Sequence, residues 1–142
     1  MAVLGAVAAY FIIDPIKAET YEKSELDKKK LELKIELVSE FLSKSYKYTA
    51  VAYDALLRDS SAIILYENDV NDDFNEVQNR VEVFFGDRRV TQMMVQIDTL
   101  QMQLHEAYQR NASKNDWEDI RNKLKQRNNE VAAEILKRLK FL

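Results

Sequence analysis

Cysteine is absent from this 142-residue chain, and glycine, proline and histidine contribute only two, one and one residues. Without cysteine the protein has no disulfide, no thiolate nucleophile and no cysteine-based zinc site. β-Rich folds need glycine and proline at their turns, so the scarcity of both favours long helices. The single histidine, His105, excludes the paired Glu-x-x-His motifs of di-iron bundles and gives little basis for a catalytic triad. We therefore expect a protein that is not an enzyme and carries no cofactor.

The remaining composition is that of a foldable chain. Apolar residues make up 46% and charged residues 32% of the sequence, which is typical of a globular domain and not of a disordered chain. The net charge of −3 shows no basic excess, so nucleic acid is not expected as a partner. An apolar stripe recurs every three or four residues, which is a helical period. Its members are Leu31, Ile35, Val38, Leu42, Ser45, Thr49, Ala52 and Leu56.

A long first helix is the main architectural prediction. Asp14 and Pro15 predict its start, because Asp caps helix N-termini and Pro suits the first helical position. Apolar residues beyond Leu56 stay in phase with the stripe, so the helix is predicted to continue to about Tyr66; a break at residues 59–61 is the alternative. A helix of about 50 residues is roughly 75 Å long and would project from the bundle as a stalk.

Three further helices follow from the same periodicity. The acidic segment 68–73 is predicted to supply N-caps for a second helix, which should stop at Gly86. A third helix should follow Asp87, and a fourth should begin near Asp116. Short loops make successive helices antiparallel neighbours. The sequence thus predicts an all-α, up-and-down antiparallel bundle of about four helices over residues 15–142, with an N-terminal apolar helix over residues 1–14.

The apolar N-terminal run decides the predicted localisation. Residues 1–13 carry no charge, yet a helix of this length spans only roughly 20 Å of a ~30 Å bilayer core. The run is apolar on every side, so protein or lipid must surround it. Basic residues only follow it, so an anchor here would leave the bundle cytoplasmic. The alternatives are a buried or oligomeric helix in a cytoplasmic protein and a signal remnant. The anchor candidates are Val3, Leu4, Val7, Tyr10, Phe11, Ile12 and Ile13.

Candidate interaction residues come from two places in the sequence. Four tyrosines concentrate on the predicted first helix and predict a partly exposed aromatic surface, which is favourable for protein interfaces; packing in the core is the alternative. Two arginines follow Gly86 in a predicted turn and are candidates for contact with an anionic group. The interaction candidates are Tyr46, Tyr48, Tyr53, Tyr66, Arg88 and Arg89.

Two functional hypotheses follow. The leading one is a membrane-tethered, non-enzymatic module that docks through its helix faces with a protein partner or a second copy. The alternative is a sensor bundle that binds a small ligand between helices and signals through the long first helix. A dry core with an exposed aromatic stripe would favour the interaction module. Polar residues converging inside the core, with Ser45 and Thr49 as candidates, would favour the sensor.

Overall fold

The computed structural model describes residues 25–139, and this part of the chain is an all-α bundle without strands, as predicted. Leu65 precedes the π-helical turn and Val70 ends it, and both residues keep right-handed helical dihedral angles. Residues 60–85 therefore form one continuous rod, called the second rod below. The elements are α1 Glu25–Leu56, α2 Ser60–Leu65, a π-helical turn Tyr66–Val70, α3 Asn71–Phe85, α4 Arg88–Gln109 and α5 Lys114–Leu139.

The four helical segments of the bundle, α1, the second rod, α4 and α5, do not pack equally well. α5 packs closely against α1 and α4, and α1 packs closely against the second rod, whereas α3 and α4 share far fewer contacts. Ion pairs from Lys44 to Asp73 at 3.5 Å and from Arg80 to Glu40 at 2.5 Å hold α1 antiparallel to α3. The weakest side of the bundle is thus the seam between α3 and α4.

The predicted continuation of the first helix through residues 59–61 is wrong, because α1 ends at Leu56. Arg58 adopts a left-handed φ of 65°, and the amides of Arg58 and Asp59 make 5→2 and 6→1 bonds of 2.9 and 3.0 Å. These bonds form a Schellman motif. The carboxylate of Asp59 then caps α2 by accepting from the amide of Ala62 at 3.0 Å. The alternative break is therefore the correct one.

The start of the first helix was predicted near Pro15, which lies outside the described residues, as do the predicted stalk region before residue 25 and the apolar helix over residues 1–14. Within the described part, α1 has 32 residues and is still the longest element.

The acidic segment 68–73 does not supply the predicted N-caps, because it is helical throughout. Ala62, Tyr66, Val70 and Phe74 are all buried and follow one another at four-residue steps. In an ideal α-helix each such step overshoots a full turn by about 40°, so the stripe would rotate away from the core. The wider π turn over these residues offsets that rotation and keeps the side chains on one face.

The predicted stop at Gly86 is confirmed, but its physical reason differs from the usual left-handed glycine cap. Gly86 has a φ of −64°, and a Cβ atom there would lie 1.8 Å from the carbonyl oxygen of Glu82. Close approach of the backbone therefore requires glycine. Asp87 then caps α4 by accepting from the amide of Val90 at 3.0 Å. From α5, Arg138 donates to the carbonyl of Phe85 at 3.2 Å and pairs with Asp87.

This turn has a testable pH dependence. The Arg138 guanidinium, followed by the amide of Val90, lowers the pKa of Asp87 from 3.8 to about 2. Because folding lowers its pKa, the Asp87 carboxylate stabilises the folded state above pH 3.8, and this stabilisation is lost as the pH falls towards 2. Asp87→Asn keeps a capping side chain but loses the charge. We expect it to lower Tm at neutral pH and to flatten the acid decline of Tm, as measured by circular dichroism. A Tm curve parallel to that of the wild type would contradict this expectation.

Candidate functional site

The core of the bundle contains polar side chains as well as apolar ones. Gln78 and Gln101 meet across the α3–α4 seam, where Nε2 of Gln78 donates to Oε1 of Gln101 at 3.0 Å. A second polar group lies between α1 and α5. The buried polar side chains of the described residues are Ser45, Thr49, Gln78, Gln101 and Asn128. Polar residues that converge inside the core favour a sensor bundle over an interaction module.

The π turn directs two consecutive side chains towards α4. The hydroxyl of Tyr66 hydrogen-bonds with Nδ1 of His105 at 3.1 Å, and the hydroxyl of Tyr108 donates to Oε1 of Glu67 at 2.5 Å. The rings of Tyr66 and Tyr108 pack with centroids 4.8 Å apart. Single π turns inside helices are frequent at functional sites. The polar seam, as named below, consists of Tyr66, Glu67, Gln78, Gln101, His105 and Tyr108.

Tyr48 of α1 closes the polar seam from inside the bundle. Its ring packs on Tyr66 and Phe74, with centroids 6.2 and 5.3 Å away, and it is fully buried. Its hydroxyl makes no hydrogen bond of good geometry within the described residues, although it interacts with the side chains of Tyr66 and Gln101. Burial, together with the neighbouring Tyr66, raises the pKa of Tyr48 far above its usual range. A buried hydroxyl without a partner costs about 1–3 kcal/mol and needs an explanation.

A cleft of about 280 Å³ opens onto the polar seam from solvent. Asp98 supplies its carboxylate and forms no salt bridge with any residue in the range 25–139; partial burial raises the pKa of this group. A cleft of this size suits a compact molecule, since drug-sized ligands occupy roughly 300–1,000 Å³. The lining residues are Asn71, Asn75, Asp98, Gln101, Met102 and His105, all polar except Met102.

The structure overturns the predicted tyrosine surface at two of its four positions. Tyr48 and Tyr66 are buried, because they fill the space where α1, the second rod and α4 meet. Tyr53 is half-buried and packs edge-on against Trp117, with centroids 5.4 Å apart. Tyr46 is the one exposed tyrosine of these four. Core packing, the alternative weighed from the sequence, explains the buried pair.

The two arginine candidates lie far along α4 from the polar seam. Arg88 is exposed at the first position of α4, and Arg89 is 3.6 Å from Glu134 of α5 through its Nε atom. The structure therefore does not bring them together with the tyrosines. The anchor candidates between Val3 and Ile13 lie outside the described residues. Of the helices that are described, none is long and apolar enough to cross a membrane.

Sequence reasoning missed the two glutamines and the role of His105. Gln78 follows Phe74 by four residues, and Gln101 lies between Ile97 and Leu104 at helical spacing, so both occupy core positions of their stripes. That placement was a usable signal for a polar seam. The hydrogen bond between His105 and Tyr66 of the π turn has no signature in the sequence.

No protein-family model matches the sequence, and no curated protein or solved structure matches it significantly. Function must therefore be argued from the chemistry of the site. No cluster of three or more potential metal ligands occurs within residues 25–139.

The unpartnered hydroxyl makes a direct prediction about stability. Tyr48→Phe removes a buried polar group without changing the ring, so we expect the free energy of unfolding to rise by about 1–2 kcal/mol. Tyr46→Phe is the matched control, because that hydroxyl is at an exposed position of the same helix. Urea denaturation of both variants measures the difference. A loss of stability in Tyr48→Phe would show that the hydroxyl has a partner in the folded protein.

Proposed function

We propose that this protein is a non-enzymatic sensor bundle that binds a compact polar molecule at the polar seam. The observation that carries the proposal is the fully buried hydroxyl of Tyr48, which lacks a hydrogen bond of good geometry and lies next to Gln101 of the polar cleft. The cleft lies where the bundle packs least tightly, beside a π turn. Polar groups that reduce stability and converge on one cleft are typical of binding sites.

The lining of the cleft favours a ligand that carries a protonated amine. Asp98 is a carboxylate at an exposed position beside the cleft, without a salt bridge in the described part of the chain, and a cation beside it would favour its charged form. Asn71 and Asn75 add amide oxygens that accept hydrogen bonds. Their amide nitrogens can also donate to a hydroxyl or carbonyl on the same ligand. The ligand class is therefore a small amine with a second polar group.

Binding at the seam has a physical route to α1. A ligand in the cleft would compete with the 3.0 Å bond between Gln78 and Gln101, and so favour a more open seam. Tyr48 of α1 packs directly on Phe74 and Tyr66 of the second rod. Movement of the second rod away from α4 would thus change the packing of α1. A ligand that binds the open seam more tightly shifts the population towards it.

An NMR titration tests the proposal. Ethanolamine, putrescine and arginine would be added at millimolar concentration to the ¹⁵N-labelled full chain. We expect saturable shifts in the side-chain amides of Asn75 and Gln101 and in the backbone amides of residues 66–70. Asp98→Asn should weaken binding about tenfold, corresponding to ~1.4 kcal/mol. Glu106→Gln, an exposed acid on the same helix, should leave affinity unchanged. Unchanged spectra with all three amines, or equal losses in both variants, would refute the amine site.

An exposed apolar groove supports a second candidate function, docking of a protein partner. Leu26 and Leu33 lie on the same face of α1 as Lys44, which pairs with α3. Phe84 lies on the same face of α3 as Arg80, which pairs with α1. Leu33 and Phe84 therefore lie near the α1–α3 interface, where they are 48% and 47% exposed, and Leu26, which is 62% exposed, continues this face of α1 beyond the end of α3. Exposed apolar groups gathered in this way favour an interaction surface.

The tether belongs to this second candidate and rests on the uncharged residues 1–13. Vesicle flotation compares the full chain with a version that begins at Asp14. If the tether exists, only the full chain floats, and high salt does not release it. If neither version floats, the membrane tether is excluded. Docking is tested separately, by sedimentation of the version that begins at Asp14. Leu33→Ser should abolish any self-association of this version. Leu57→Ser, at another exposed leucine, should not.

A further inference from the structure

A second polar group without a hydrogen-bond partner is the side chain of Asn128, which lies on α5 and faces α1. Asn128 is 3% exposed, and neither Nδ2 nor Oδ1 of its side chain has a hydrogen-bond partner within the described residues. An amide that is buried and unsatisfied at both ends is unfavourable, and native proteins contain few of them. The amide borders a cavity of about 40 Å³, whose other walls are Leu42, Ser45, Tyr46, Thr49, Lys125 and Asn129.

The hydroxyl groups in this cavity act as acceptors. Ser45 donates its hydroxyl hydrogen to the carbonyl of Leu42 at 3.0 Å. Thr49 likewise donates to the carbonyl of Tyr46 at 3.0 Å. Each hydroxyl oxygen therefore has only lone pairs left for the cavity, while Asn128 supplies both an N–H donor and a carbonyl acceptor.

The donors and acceptors around this cavity determine which kind of molecule it can bind. An anion would face the amide oxygen of Asn128 and the lone pairs of Ser45 and Thr49. A cation would face the amide N–H groups and the positive charge of Lys125. A neutral molecule that both donates and accepts satisfies Asn128 without these conflicts. A cavity needs roughly 10–15 Å³ for each water, so this one has room for about three waters and not for larger organic molecules.

We propose that ordered water is bound between Asn128 and the hydroxyls of Ser45 and Thr49 as an internal part of the α1–α5 interface. The water hydrogen-bonds with the amide of Asn128 and donates to at least one hydroxyl oxygen of α1. It thereby links the two longest described helices at their centre. The inference is independent of the ligand site at the polar seam, because it concerns a different interface.

Water–protein NOE and ROE spectra of the ¹⁵N-labelled full chain test the proposal. Long-lived water should give cross-peaks of opposite sign in the two spectra at the side-chain amide of Asn128. That signal is assigned by its loss in Asn128→Leu or Asn128→Asp, whichever variant folds. The exposed side chain of Asn122, which lies on the same helix but does not line the cavity, is the internal control and should give no such pair of cross-peaks. A folded wild-type protein in which Asn128 shows no water cross-peak, or only chemical exchange, would overturn the proposal.

Discussion

Phe74→Ala should lower the free energy of unfolding by about 3–5 kcal/mol, the usual cost of truncating a fully buried phenylalanine. Phe74 is completely buried in the second rod. Its ring packs on Phe41 and Tyr48, with centroids 5.9 and 5.3 Å away. The truncation leaves a cavity where the second rod meets α1. For a chain of this size, the loss corresponds to a fall in Tm of roughly 10–20 °C.

Phe84→Ala is the matched control for this prediction. Phe84 lies on the same helix but is 47% exposed, so its truncation should change stability by only about 0.5 kcal/mol. Calorimetry or guanidinium denaturation of the two variants gives the comparison. Equal losses would mean that Phe74 is not at the centre of the packed interface.

The glutamine pair carries the second large prediction. In Gln78→Leu the buried side chain of Gln101 loses the partner that lies 3.0 Å away, which should cost about 1–3 kcal/mol. Gln101→Leu should cost a similar amount, because it leaves Gln78 unpaired. The double variant removes both polar groups and should recover stability to the wild-type value or above it. Denaturation of all four proteins completes the double-mutant cycle.

The same cycle separates stability from function. The double variant should fold well but lose amine binding, because the cleft would lose Gln101 and the seam would close on apolar contacts. Gln103→Leu, at an exposed position of the same helix, should retain binding and stability. If the double variant lost the sum of both single effects, the two glutamines would have no coupling energy, which would contradict a pair that closes the seam.

Local chemistry explains what could be predicted of the fold. α3, α4 and α5 follow apolar periods of three and four residues, and the stop at Gly86 and the cap at Asp87 are short-range features. The end of α1 was missed because two local signals conflict. The apolar phase continues past Leu56, but the Schellman motif at Arg58 and the cap at Asp59 end the helix.

Tertiary context explains what could not be predicted of the site. Periodicity places Tyr48 on the core-facing side of α1, but which side chains pack against it depends on the tertiary arrangement. The π turn arises because Tyr66 and Val70 must both face the core at four-residue spacing. Gln78 and Gln101 were visible at stripe positions, but their pairing requires the α3–α4 arrangement.

Native-state hydrogen exchange tests most directly whether the polar seam opens as a unit. We expect the amides of residues 66–85 to exchange through an opening that requires clearly less free energy than global unfolding. The amides around Leu124 and Val131 in the well-packed α5 should exchange only through global unfolding. Exchange of both groups with one common free energy would contradict a seam that opens to admit a ligand.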